Sequence, residues 1–222
     1  MTTAGPRLRL PRLFDADAGE VPASARAVFE TLGTARAIRE LRDEPVSPAH
    51  VEALIWAGTR ASSAENTQPW QFVAVTGVEQ RRAIAQALSV FPELARQLPA
   101  PTDAAAERTR AAALRLVDGL ADVPLLLFVC GRNDYPAMAP QERYLWSAVF
   151  GAAQNIVVAA RALGLSAVYT MLHVANPAEI RRILGVPPEY KIATMLAVGW
   201  PARPAGPVRR LPLEEVVHHD RW

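Results

Sequence analysis

The sequence has little of several things that assign a protein quickly. Among its 222 residues there is one cysteine, Cys130, so no intramolecular disulfide can form and nothing points to an oxidising compartment. There is one lysine, Lys191; the remaining positive charge is arginine, and a formal net charge of +2 gives no general electrostatic case for nucleic acid. No Gly-x-Gly-x-x-Gly turn follows an expected strand, which removes support for a Rossmann dinucleotide site, and no Gly-x-Ser-x-Gly elbow supports a serine hydrolase. The histidines, His50, His173, His218 and His219, make no His-x-x-x-His pair, and the adjacent rings at the C-terminus point apart in any regular structure, so no metal site is expected. No apolar run reaches the roughly 18 residues of a membrane span and no basic start leads into an apolar stretch. The expectation is a cytoplasmic protein that does not engage a membrane.

What is present is the composition of a chain able to bury a large core, 50% hydrophobic and 21% charged. Residues 1–23, rich in Pro, Ala and charge without periodicity, read as an N-terminal arm, and residues 24–222 as a single domain with no polar linker at which to divide it. Ser24 is expected to cap a helix ending near Gly33, and a second helix starts after Pro48. Gln71 to Thr76, Val123 to Cys130, Gly164 to Thr170 and Ile192 to Gly199 read as strands, the second of them continuously apolar, with Cys130 as a small core residue. A helix over about Pro140 to Leu163 carries Leu145, Val149, Ala152, Ala153, Ile156, Val157 and Ala160 with few charges, so it belongs in a core or a subunit interface. The Ala-rich stretch from Asp103 to Ala113 is also expected to be helical. Helices between single strands would ordinarily suggest a doubly wound parallel sheet, but with no dinucleotide turn an α+β class fits better.

Three clusters carry chemical potential. Ala35-Arg36-Ala37-Ile38-Arg39 places two arginines at spacing three, one side of a helical turn, where planar charged forks suit a phosphate and a polarisable carbonyl. Ser62-Ser63-Ala64-Glu65-Asn66-Thr67-Gln68-Pro69-Trp70 is a loop of donors and acceptors whose exit is stiffened by proline, with Trp70 suited to anchoring in the core. The C-terminal run after Arg203, Arg209 and Arg210 alternates Leu and Val with acids from Leu211 to Trp222, a composition seldom left loose and expected to pack, for example on a second subunit.

The order of these pieces resembles the nitroreductase superfamily, which binds flavin mononucleotide (FMN) and includes iodotyrosine deiodinases and dimethylbenzimidazole synthases. The resemblance runs from about Thr34 to the C-terminus. It rests on the arginine cluster, the Ser-x-x-Asn-x-Gln-Pro-Trp loop, Gly164-Leu165 before a strand ending in Thr170, and an arginine before Pro212-Leu213. It implies an α+β fold with a central mixed sheet flanked by helices, in an intertwined homodimer with FMN at the interface. The cofactor-binding residues implied are Arg36, Ala37, Arg39, Ser63, Asn66, Gln68, Tyr169, Thr170, Arg209 and Arg210. Arg39, beside the flavin N1 and C2 carbonyl, and Thr170, at the strand end facing N5, are the implied catalytic pair. The family's opening arginine and serine are replaced by Ala35 and Ala37, and Glu65 places a negative charge beside the flavin loop that needs a partner or solvent.

The activity implied is NAD(P)H-dependent reduction of an electron-poor small molecule such as a nitroaromatic, quinone or enone, by ping-pong hydride transfer. The cofactor carries the hard chemistry, and a cation at Arg39 stabilises the two-electron-reduced state. A flavin-fragmenting synthase and a non-catalytic flavin-binding protein are the alternatives. The segments from Leu88 to Ala112 and from Arg132 to Pro140 fall where the family carries a substrate-covering lid, with Phe91, Tyr135, Met138 and Trp146 as candidate lining.

Overall fold

A computed structural model describes residues 11 and 22–222, so the expected N-terminal arm lies outside the described residues except for Pro11 and its last two positions. The described residues form two compact units, one running up to Arg36 and including Ala205–Trp222, the other Ala37–Pro204.

The first unit holds helix α1 (Ala23–Thr34) and the C-terminal segment, which meets it where the Val208 amide donates to the Gly33 carbonyl at 2.9 Å. Ser24 does not cap this helix. Pro22 holds the cap position and no side chain caps it, because the helix begins two residues earlier than expected. Along the C-terminal segment Leu211, Leu213, Val216, Val217 and Trp222 are exposed, as are Val28 and Leu32 on α1.

The second unit is built on four strands: β1 (Trp70–Val75), β2 (Leu125–Arg132), β3 (Ser166–Thr170) and β4 (Tyr190–Gly199), in spatial order β1-β2-β4-β3. Its helices are α2 (Pro48–Gly58), α3 (Val78–Ala87), α4 (Phe91–Gln97), α5 (Ala104–Asp118), α6 (Glu142–Ala162) and α7 (Pro177–Leu184). Among these strands every pairing is antiparallel, where a mixed sheet is expected. The reason lies in one skipped position. Helix α6 carries the chain from β2 to a parallel β3, as a single helical crossover does, but β3 settles one place away and β4 enters between them antiparallel to both.

The continuous apolar character of β2 follows from its central place. Leu125, Leu127 and Val129 face the core under α2 and α6, while Leu126, Phe128 and Cys130 face the core shared with α3, α5 and α7. Burial pushes the Cys130 thiol up to about 11, so it stays a protonated core group. Helix α6 presents Leu145, Val149, Ala152, Ala153, Ile156 and Ala160 to the sheet, as its pattern implies. It packs closest at Gly131, where an added Cβ would stand 2.6 Å from Leu145 Cδ1 and 2.7 Å from Val149 Cγ1. Asp103 caps α5 by accepting from the Ala105 and Ala106 amides, and Ser47 caps α2 by accepting from the His50 amide. Among the described residues no helix is long and apolar enough to cross a membrane.

Candidate functional site

The arginine segment is not helical. Residues 35–40 form no helix, so the expected one-sided helical turn for Arg36 and Arg39 does not exist. Its stretch within the second unit runs extended beside the sheet: Leu41 bridges Pro201, the Arg42 amide donates to Trp200 O at 2.8 Å, and the Ala202 amide donates to Glu40 O at 2.9 Å. A backbone lying beside the segment that follows β4 finds its hydrogen bonds there, which outweighs the helical propensity of Ala and Arg. Ile38 is buried beside half-buried Ala37, and its amide donates to Ser166 Oγ at 3.2 Å while that hydroxyl donates back to Ile38 O at 3.3 Å. Arg39 is thereby held half-buried with no acidic partner among the described residues, and desolvation lowers its pKa from the ordinary arginine value. An arginine cannot shed its proton at neutral pH, so this is a fixed cation with unused donors.

The polar loop is a turn under strain. A single 3-10 turn, Ala64–Asn66, leads into Pro69, and Glu65, Asn66 and Gln68 have φ of +46°, +55° and +47°. Left-handed backbone is uncommon for residues other than glycine and costs about 1–3 kcal/mol where it is imposed. Ser63 imposes it, since its Oγ accepts from the Gln68 amide at 3.0 Å and its carbonyl accepts from the Asn66 amide at 3.1 Å. Ser63 therefore shapes the loop, while the side chains of Asn66 and Gln68 stand exposed at its tip. Trp70 is buried and anchors the exit in the core.

At the end of β3, the Thr170 hydroxyl donates to Met195 O at 3.1 Å and accepts from the Leu172 amide at 3.4 Å, and Thr194 Oγ1 donates to Thr170 O at 2.8 Å. The Thr170 hydroxyl is thus engaged within the sheet, and Tyr169 and Met171 on either side are the more exposed. Desolvation raises the Tyr169 phenol, opposed by a hydrogen bond with Thr194. His173 follows, buried, with Nε2 against Ile192 O at 3.2 Å and Nδ1 unpaired.

Arg36, Arg209 and Arg210 belong to the first unit. There Arg36 Nη1 lies 3.9 Å from where a Cβ on Gly206 would be, and Arg210 donates to the carbonyl of Arg209 at 2.8 Å; all three arginines are exposed. Of the expected lid segments, the first is largely the helices α4 and α5, and the second, from Arg132 to Pro140, is an irregular loop.

One residue escapes the sequence reading. Ser166 fixes the arginine segment across 128 positions, and nothing in its neighbourhood marks it. Desolvation first, and then the Glu65 charge, push the Tyr135 phenol above the ordinary tyrosine value.

The sequence model of the nitroreductase family matches residues 32–200. A 5,6-dimethylbenzimidazole synthase of Rhodospirillum rubrum is 31% identical over 173 residues, covering 75% of this chain and 78% of the relative. An NADH dehydrogenase of Thermus thermophilus is 28% identical over 198 residues, covering 82% and 90%. The solved structure of an FMN- and NADPH-dependent nitroreductase from Sphigopyxis sp. strain HMH aligns with a TM-score of 0.68 at 22% identity, over 88% of this chain and 99% of that one.

Proposed function

The chain belongs to the nitroreductase family, and from that premise we propose that it is an FMN-dependent oxidoreductase. It would take reducing equivalents from NAD(P)H and deliver them to an electron-poor small molecule such as a quinone, nitroaromatic or enone. The observation that carries this reading is Arg39: a half-buried cation without an acidic partner among the described residues, on a backbone clasped by Ser166. Holding an unpaired cation partly out of water has a cost that a resident anionic group offsets.

Bound FMN would supply two-electron hydride chemistry, which no side chain of this site offers. Arg39 would meet the negative charge that two-electron reduction creates, which favours the reduced state without any proton transfer by the protein. The exposed amides of Asn66 and Gln68 offer donors and acceptors for a heterocyclic edge, on a turn held rigid by Ser63. Arg36 and Arg210, exposed and forked, are the proposed phosphate ligands, with Arg209 beside them. Ala37 and Tyr169 would contribute packing, and the end of β3 at Thr170 would face the reacting edge through a backbone fixed by Thr194 and Met195. The exposed Leu211, Leu213 and Trp222 support assembly as a homodimer.

The test is to load the protein with FMN, reduce it anaerobically with NADPH, and then add a quinone. Reoxidation of the flavin with release of hydroquinone supports the proposal; a reduced flavin that no quinone, nitroaromatic or enone reoxidises contradicts it. The 31% identical synthase favours a second reading, in which the flavin itself is the substrate. Loss of FMN under NADPH and oxygen, with no acceptor added, would select that reading.

A further inference from the structure

Where β2 ends, the chain runs against the polar turn that precedes β1. The Arg132 amide donates to Pro69 O at 3.1 Å, and the same two residues share the lining of a cavity of about 30 Å³. Thr67 and Pro69 wall it from the turn, Arg132, Asn133 and Asp134 from the end of β2 and the segment after it, and Tyr144 from the first turn of α6. One of these residues carries an unsatisfied group. The side-chain oxygen of Asn133 is buried, and no donor among the described residues reaches it. A buried acceptor without a donor is costly, and folded proteins give nearly all such atoms a partner in the chain or in ordered water.

The lining selects the occupant by size and by charge. A volume on the order of the roughly 30 Å³ that one water takes up in the liquid excludes an organic ligand. The unpaired oxygen calls for a donor, which excludes a simple anion such as chloride. Arg132 belongs to the same lining, its guanidinium paired with Asp134 and placed over the Tyr190 ring 5.7 Å from the centroid, and a fixed cation there opposes a metal or ammonium ion. In addition, no group of three His, Cys, Asp or Glu that could hold a metal is found among the described residues. A neutral molecule of one heavy atom that donates is water. The hydroxyls of Thr67 and Tyr144, each able to donate or accept, belong to residues of the same lining and supply the further partners that an internal water needs.

We propose that this cavity is an internal water site, in which a water donates to Asn133 Oδ1 and bridges the end of β2 to the turn that presents Asn66 and Gln68. The turn is then held to β2 twice, by the direct bond at Pro69 and by the water beside it. A bridging water is nearly as strong as a direct hydrogen bond, so Asn133 acts as a positioning residue for the turn. Its consequence for FMN rests on the flavin reading above; the water site itself does not.

Crystal structures of the full-length protein, grown from sodium and from rubidium salts, read the occupant. Hydrogen exchange at the Thr67, Gln68 and Arg132 amides, each of them hydrogen-bonded in this structure, reads the link. Both crystals should show a water peak within hydrogen-bond distance of Asn133 Oδ1, with no rubidium signal. No peak overturns the site, and a rubidium signal overturns water as its occupant. Asn133→Leu, close in size and without an acceptor, should lose the peak and speed exchange at these amides about fivefold, while Asn133→Asp, which keeps an acceptor, should retain the peak and recover most of the slow exchange. Equal exchange in the wild type and Asn133→Leu overturns the link, and where Asn133→Leu does not fold, the wild-type peak alone decides the site. FMN affinity should fall about threefold in Asn133→Leu and return in Asn133→Asp; an unchanged affinity overturns the positioning role. Protein that takes up no FMN overturns the flavin reading, while the peak and the exchange rates still decide the water.

Discussion

The hydroxyl of Ser166 holds both backbone groups of Ile38, 3.2 Å from its nitrogen and 3.3 Å from its carbonyl oxygen, so the residue before Arg39 is tied to the first position of β3. All these groups are buried, and no solvent can replace the lost bonds. Ser166→Ala should therefore destabilise the fold by about 1–3 kcal/mol and weaken FMN binding through the freed arginine segment. Urea denaturation and flavin titration of the same variant check both. Full stability with weakened FMN binding, or the reverse, would separate two effects that this clasp couples.

Gln68 presents the opposite balance. Its φ of +47° is held by the bond from its amide to Ser63, and the side chain is exposed, so little packing compensates the strain. Gln68→Gly removes the left-handed penalty of roughly 1–2 kcal/mol and returns part of it as chain entropy in the unfolded state. The expected result is a gain of about 0.5 kcal/mol in stability, with a loss of FMN affinity. A variant that is less stable would show that the side chain packs in a way the strain argument omits.

His173 gives the fold a pH dependence of definite sign. Its buried ring, with Nδ1 unpaired, resists protonation and lies below the ordinary histidine value of 6.5, first because of desolvation, against a smaller opposing effect of the Ile192 carbonyl. The unfolded chain takes up the proton near pH 6.5 and the folded one does not, so the contribution is complete above that pH and declines as pH falls toward the lower folded value. The slope approaches about 1.4 kcal/mol per pH unit within that window. The difference in stability between wild type and His173→Gln, measured by denaturation at pH values on either side of 6.5, should shrink on acidification. A constant difference would show that His173 titrates in the fold as it does in the unfolded chain.

Replacing Arg39 by Gln keeps a planar donor and removes the charge. Flavin reduction by NADPH should slow about a hundredfold while FMN affinity falls less, because the charge is needed most after two electrons have arrived. Equal losses in the two measurements would reassign Arg39 from tuning to simple binding.

The legible parts of this molecule were those written locally. The apolar run of β2, the apolar pattern of α6, the Ala-rich helix after Asp103 and the hydrogen-bonding loop before Trp70 are each written in contiguous residues, and each stands in the structure. The arginine segment was misread as a helical turn because its partners, Ser166, Trp200 and Pro201, are remote in sequence. The antiparallel sheet was obscured for a related reason: a helical crossover signals a parallel pair, and nothing in β2, α6 or β3 announces that β4 will enter between them. Glu65 stands out as a charge in its loop, while Tyr135, whose phenol that charge acts on after desolvation, lies 70 positions on in a loop without a pattern of its own.

The central claim is that the chain binds FMN and that NADPH reduces it there. The visible absorbance spectrum of the purified protein, supplemented with FMN and freed of excess, tests it directly when recorded before and after anaerobic addition of NADPH. The account predicts flavin bands that persist through desalting and bleach on addition of NADPH. A colourless protein that retains no FMN would contradict it, and Arg39, Asn66 and Gln68 would revert to features of the surface.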